Sequence, residues 1–170
     1  MKIKRLDGGG LRFSRVSGEQ MRLFEQIAVH ADTIGTPEAE ERLFQPLMAQ
    51  PRTAKDDQAN DDWQDTIVPD LRESFNRDLE TVQADLRQAR VDSGEDGPVF
   101  SFIVGEDHIQ AWYSALNQAR LVMQERYRFP ESDSAEALIE LLQSANLKPF
   151  LTSRFYVEIQ AALLELAMDF

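Results

Sequence analysis

Four polar side chains recur one helical turn apart: Tyr113, Asn117, Arg120 and Gln124. Spacings of four, three and four place them in a single row on one helix face. A guanidinium is a forked donor suited to carboxylate or phosphate, and a side-chain amide both donates and accepts. Such a row could bind an oxyanion or a peptide backbone. The competing reading is architectural: Arg120 pairs with a carboxylate from a neighbouring helix and Asn117 caps a loop backbone, because buried polar groups are ordinarily satisfied within the fold. The sequence therefore names Tyr113, Asn117 and Arg120 as ligand-binding candidates.

No other chemistry is spelled out, and no catalytic residue is indicated. Of the two histidines, His30 falls near the end of a helical pattern, where a cation suits the dipole, and His108 stands beside Glu106 and Asp107. Neither belongs to an HExxH-type spacing, so no metal site is expected. Glu38, Glu40 and Glu41, and Glu131 with Asp133, read as first-turn carboxylates of helices rather than as an acid–base pair. The acidic run Asp56, Asp57, Asn60, Asp61 and Asp62 lacks the residue order of a calcium loop and reads as a solvated loop or helix start. No nucleophile elbow or phosphate-binding glycine loop appears, so no cofactor is expected.

The elements that would carry these residues are mostly helical. Lys2–Leu6 and Leu11–Val16 alternate polar and apolar around Asp7-Gly8-Gly9-Gly10, the pattern of a β-hairpin. Ser17 and Gln20 fit a capping box for a helix with Met21, Phe24, Ile27, Ala31 and Ile34 on one stripe, stopped by Gly35. Thr36-Pro37-Glu38 starts a second helix, with Leu43, Phe44, Leu47 and Met48 as its buried side. Trp63 and Ile67 form the apolar side of a short helix, and Pro69 opens a longer one. Leu71, Phe75, Leu79, Val82, Leu86 and Ala89 form the seam of that longer helix, with Arg72, Glu73, Asp78, Glu80, Asp85 and Arg87 on solvated faces.

Asp92 to Pro98 reads as a flexible loop. Val99–Val104 is apolar on both faces, a buried strand that pairs with the N-terminal hairpin. The following helix sets Ile109, Trp112, Leu116, Ala119 and Met123 in a core seam. Ser132 or Ser134 caps a further helix with Leu138, Leu141, Leu142 and Ala145. The last helix buries Phe155, Ile159, Ala162, Leu163 and Leu166, and Phe170 docks the C-terminus. The expected fold is mainly α (α+β), several packed helices with a small antiparallel sheet, in one domain over residues 1–170.

Composition narrows the class. With 30 acidic residues against 18 lysines and arginines, the net charge is −12, which opposes binding to a phosphate backbone. No apolar run reaches the roughly 20 residues of a membrane span, and no secretory leader is evident. Cysteine is absent, and with it disulfides and thiolate sites. A cytoplasmic protein that avoids nucleic acid and membrane fits these features.

The run Ala111-Trp112-Tyr113-Ser114-Ala115-Leu116-Asn117-Gln118-Ala119-Arg120-Leu121 resembles the AW-x-x-ALN-x-x-RL segment of a bacterial family, domain of unknown function number two thousand and seventeen. Arg42-Leu43-Phe44-Gln45-Pro46 is similar to its RL-x-P segment. Asp62-Trp63-Gln64-Asp65-Thr66 through Asp70-Leu71-Arg72 looks like its EFR-x-x-T-x-x-DLR segment, with Trp63 where phenylalanine is usual. The resemblance covers most of residues 11 to 129 and implies a small cytosolic protein with a binding or regulatory role. The expectation is thus a non-enzymatic interaction protein, using a helix-lined groove or forming a homo-oligomer. The alternative is a small-molecule or anion binder, or an enzyme, built on the Asn117/Arg120 row.

Overall fold

Alternation in the first 17 residues produces a hairpin, β1 (Lys2–Arg5) and β2 (Leu11–Ser17). Its turn is closed by Leu6 N–H to the Gly10 carbonyl at 2.7 Å and Gly9 N–H to the Leu6 carbonyl at 3.0 Å. Gly9 has φ +82°, a conformation that strains residues with a Cβ and that glycine adopts freely. The computed structural model describes residues 1–45, 53–94, 97–130, 139 and 141–168. Pro46, Leu47, Met48, Glu131, Ser132, Asp133, Ser134, Leu138 and Phe170, named above from the sequence, lie outside them.

Ser17 forms the expected capping box: its hydroxyl accepts from Gln20 N–H at 3.2 Å and Gln20 Oε1 accepts from Ser17 N–H at 3.1 Å. Helix α1 (Gly18–Glu25) follows, then α2 (Ile27–His30). The single stripe read through Ile34 is corrected here. The helix is interrupted at Gln26 and ends before Asp32, whose carboxylate accepts Ile34 N–H at 2.8 Å, leaving Ile34 83% exposed. That side chain offers the backbone a local turn in place of another helical turn. Thr36 precedes α3 (Pro37–Leu43) but makes no capping bond; its hydroxyl accepts from Arg126 Nε at 3.1 Å.

The acidic run is a helix start. Thr53 and Asp56 form a capping box for α4 (Ala54–Asp62), which continues through a π-helical turn, Trp63–Ile67, into α5 (Val68–Arg87). The π turn ends two residues before Pro69, which cannot donate the i→i−4 bond a regular helix requires. Along α5 the seam sinks from half-buried Leu71, Phe75 and Leu79 to buried Val82 and Leu86.

The segment read as a flexible loop is half strand. β3 (Arg90–Gly94) pairs antiparallel with β4 (Gly97–Val104), from Arg90↔Ser101 to Gly94↔Gly97. The Gly and Asp content that argued for a loop is also the chemistry of a tight hairpin end. The sheet has order β1-β2-β4-β3 and is antiparallel throughout. A 3₁₀ turn (Glu106–His108) leads into α6 (Ile109–Tyr127), and α7 (Leu147–Met168) packs beside it. The fold is mainly helical around a small antiparallel sheet.

β4 is not covered on both sides, as its composition suggested. Phe102 and Val104 face the helices, whereas Ile103 is 48% exposed on the other face. The inner face carries Leu11, Phe13, Val16, Phe102 and Val104, all buried, against Phe24 of α1 and Trp112 of α6. Phe13 stacks on Phe102 at 4.7 Å between ring centroids, and Phe24 meets Trp112 edge-on at 5.7 Å. The α6 seam of Trp112, Leu116, Ala119 and Met123 is buried as read, and α7 adds fully buried Tyr156 to Ile159 and Leu163. Leu141 is buried, while Leu142 faces solvent.

Candidate functional site

Helix α6 positions the polar row, and the fold splits it. Asn117, Arg120 and Gln124 line a cavity of about 390 Å³ together with Arg42, Leu121, Pro130 and Ser153. Tyr113 is not among its lining residues; it packs half-buried against the core, and its carbonyl accepts from Gln160 Nε2 at 3.1 Å. Arg120 Nη1 donates to Gln160 Oε1 of α7, an amide rather than a carboxylate. Its Nε is buried without a partner. Burial holds the Arg120 pKa below the ordinary arginine value, opposed by Tyr113 and aided by the charge of Arg154. The loop-capping role falls to Gln124, whose Nε2 donates to the Phe129 carbonyl at 3.0 Å.

The histidines serve buried networks. Tyr156 Oη donates to the Leu23 carbonyl at 2.8 Å and so accepts from His30 Nδ1, also at 2.8 Å. Burial, then the charge of Arg126, lowers the His30 pKa, and burial raises that of Tyr156. Asp85, read as solvated, is 5% exposed. It accepts Trp112 Nε1–H at 2.9 Å and approaches His108 Nδ1 at 3.0 Å. One carboxylate thus ties α5 to the start and the second turn of α6. Among the described residues no three His, Cys, Asp or Glu side chains are grouped to hold a metal ion.

A helix-lined groove of about 330 Å³ lies among α2, α3, α5 and α6. Three of its polar groups satisfy one another. Thr33 donates to Glu40 at 2.7 Å, Glu40 pairs with Arg72, and the Arg72 guanidinium lies 4.1 Å from the centre of the Phe44 ring.

The outer face of the sheet differs. Register sets its side chains in rows: Lys4–Arg12–Ile103, and beside it Lys2–Ser14 and Ser101–Arg90. The register shifts between Phe13 and Val16, a β-bulge that holds Ser14 and Arg15 opposite Ser101. Arg15 has φ +54°, left-handed geometry that costs a residue with a Cβ roughly 1–2 kcal/mol. Arg12, Arg15, Arg90, Ser101 and Asp92 border a groove of about 410 Å³ on this face. Among the described residues, Lys2, Lys4, Arg12, Arg15 and Arg90 make no ion pair. Alternation from Leu11 to Val16 already separated Arg12 and Ser14 from the core residues; the bulge and the contribution of Arg90 had no signal in the sequence.

Residues 12–166 match the family described as Domain of unknown function (DUF2017). The chain belongs to the DUF2017 family. No curated protein and no solved structure matches it. The DUF2017 match takes in Arg12, Arg15 and Arg90 and leaves out Lys2 and Lys4. Of the residues that carried the DUF2017 resemblance in α6, Trp112, Ala115, Leu116 and Ala119 are core. No described helix of this DUF2017 protein is long and apolar enough to cross a membrane.

Proposed function

We propose that this protein is a non-enzymatic, cytoplasmic interaction protein, and that the outer face of its sheet docks an acidic segment of a protein partner. The observation that carries the reading is Arg15: a bulge and a left-handed residue place a third unpaired guanidinium on an already basic face. Strained, non-glycine backbone in a folded protein is a pointer to function. Five cations gathered on one side of a chain with net charge −12 form a local attractive field. Complementary charge of that kind chiefly raises association rate and selects partners. The net charge of −12 opposes a long polyanion, so a short acidic segment suits the patch better than nucleic acid.

The test is fluorescence anisotropy with a labelled acidic peptide of alternating glutamate and valine, at low and physiological salt. Wild type binds and weakens with salt, and Arg12→Glu/Arg15→Glu/Arg90→Glu loses at least tenfold in affinity. Equal binding by both proteins overturns the reading, as does tighter binding of labelled single-stranded DNA than of the peptide.

A second reading is favoured by one observation, that Arg120 is held by the Gln160 amide and not by a carboxylate. Its charge remains available to a small anion in the cavity with Asn117. A rise in melting temperature with citrate or phosphate that Arg120→Gln abolishes supports it; the same rise in both proteins removes it.

A further inference from the structure

Resting on the docking reading, we infer that the groove over Ser101 is an oxyanion subsite that takes the phosphoryl group of a phosphorylated serine or threonine in the partner segment. The register supplies the geometry. Arg90 on β3 faces Ser101 on β4, and the bulge residues Ser14 and Arg15 on β2 lie on its other side. Arg90 and Arg15 therefore flank a small residue across two strand spacings, roughly 10 Å between backbones. Extended arginine side chains from both sides can converge on one group seated above Ser101. Arg12 stands on the adjacent row and borders the same groove.

Without an anion, these guanidiniums repel one another, and no described carboxylate pairs with any of them. Among the described residues Asp92 is the single acid that borders the groove, against the three cations Arg12, Arg15 and Arg90. The Ser14 hydroxyl donates to the Lys2 carbonyl at 3.4 Å. The Ser101 hydroxyl has no such bond among the described residues, and Ser101 borders the groove as a further donor. Three forked cations and a hydroxyl present more donors than the two oxygens of one carboxylate accept. They suit a dianion with three terminal oxygens, which gains charge-assisted bonds from each arginine.

The experiment uses the 170-residue chain and three labelled peptides that differ only at the centre: acetyl-Glu-Val-X-Val-Glu-amide with X as phosphoserine, glutamate or serine. The phosphoserine peptide is expected to bind at least tenfold tighter than the serine peptide, with glutamate between them. Arg90→Gln or Arg15→Gln should abolish that difference, and Arg15→Lys or Arg90→Lys should restore only part of it, because lysine lacks the bidentate fork. Circular dichroism melts of each variant check that the fold is intact. Inorganic phosphate at millimolar concentration should compete with the phosphoserine peptide only. If all three peptides bind alike and Arg12→Glu/Arg15→Glu/Arg90→Glu releases them all, the oxyanion subsite is overturned and the docking reading stands. If no peptide binds, both fall. Tighter binding of single-stranded DNA than of the phosphoserine peptide assigns the face to nucleic acid and overturns both.

Discussion

The two faces of the sheet are built from the same strands, residue by residue, and have opposite properties. On one, Leu11, Phe13, Val16, Phe102 and Val104 are sealed under α1 and α6, and Phe13 touches three other aromatic rings. On the other, Arg12, Arg15 and Arg90 stand in water without acidic partners among the described residues. Burial of aromatic area stabilises the fold, whereas exposed, unpaired cations contribute almost nothing to it and are available for binding. A period of two along the strand is enough to separate the two roles. The bulge is the exception, since it turns two consecutive residues, Ser14 and Arg15, to the groove.

The sharpest way to break this contrast is from the inner face. Phe13→Ala should cost about 3–5 kcal/mol, since a fully buried ring is removed from a close-packed cluster. Chemical denaturation measures it, and a cost near zero would mean that the aromatic cluster does not hold the sheet to the helices. Next comes Asp85→Ala, which leaves the buried Trp112 N–H without its acceptor and His108 without its carboxylate. A loss of about 1–3 kcal/mol is expected from the orphaned donor. Trp112→Phe, which removes that donor, should make a following Asp85→Ala cheaper, and strict additivity would refute the coupling.

His30 tests burial through pH. Its folded pKa lies below the ordinary value of 6.5, first from burial and then from Arg126. Its contribution to stability is complete above 6.5. As pH falls below 6.5 the unfolded chain takes up a proton that the folded chain resists, so stability declines until the folded pKa is passed. His30→Gln should flatten the decline in denaturation midpoint between about pH 7.5 and pH 5 relative to wild type. An unchanged slope would assign the acid sensitivity elsewhere. The smallest effect on stability is expected on the outer face. Arg12→Glu/Arg90→Glu should change stability by no more than about 0.5 kcal/mol. Arg15→Gly should leave it level or raise it slightly, because glycine accepts φ +54° without the Cβ clash. Together these variants separate folding from binding: inner-face changes unfold the protein, and outer-face changes weaken peptide binding alone.

Much of the fold was legible because it is written in local chemistry. The Ser17 capping box, the glycine turn after β1 and the core seam of α6 each depend on residues a few positions apart. Misreadings arose where one local pattern serves two structures. Asp92 to Pro98 has loop composition, yet Gly94↔Gly97 closes a hairpin. Asp85 shares its type with solvated neighbours, and only the arrival of Trp112 and His108 from another helix makes it a buried acceptor. The polar row on α6 was identified as a row, but α7 decided which of its members meet a cavity.

By itself the sequence determined that this chain is helical, acidic and organised around a strand and a long helix ending near Phe129. Periodicity and capping are properties of neighbours in the chain, and neighbours suffice to specify them. Which face of the sheet is covered, and that Arg15 and Arg90 flank one serine, was decided only by tertiary structure. Strand register brings Arg15 and Arg90, 75 residues apart in the chain, to either side of β4, and it cannot be read from either segment alone.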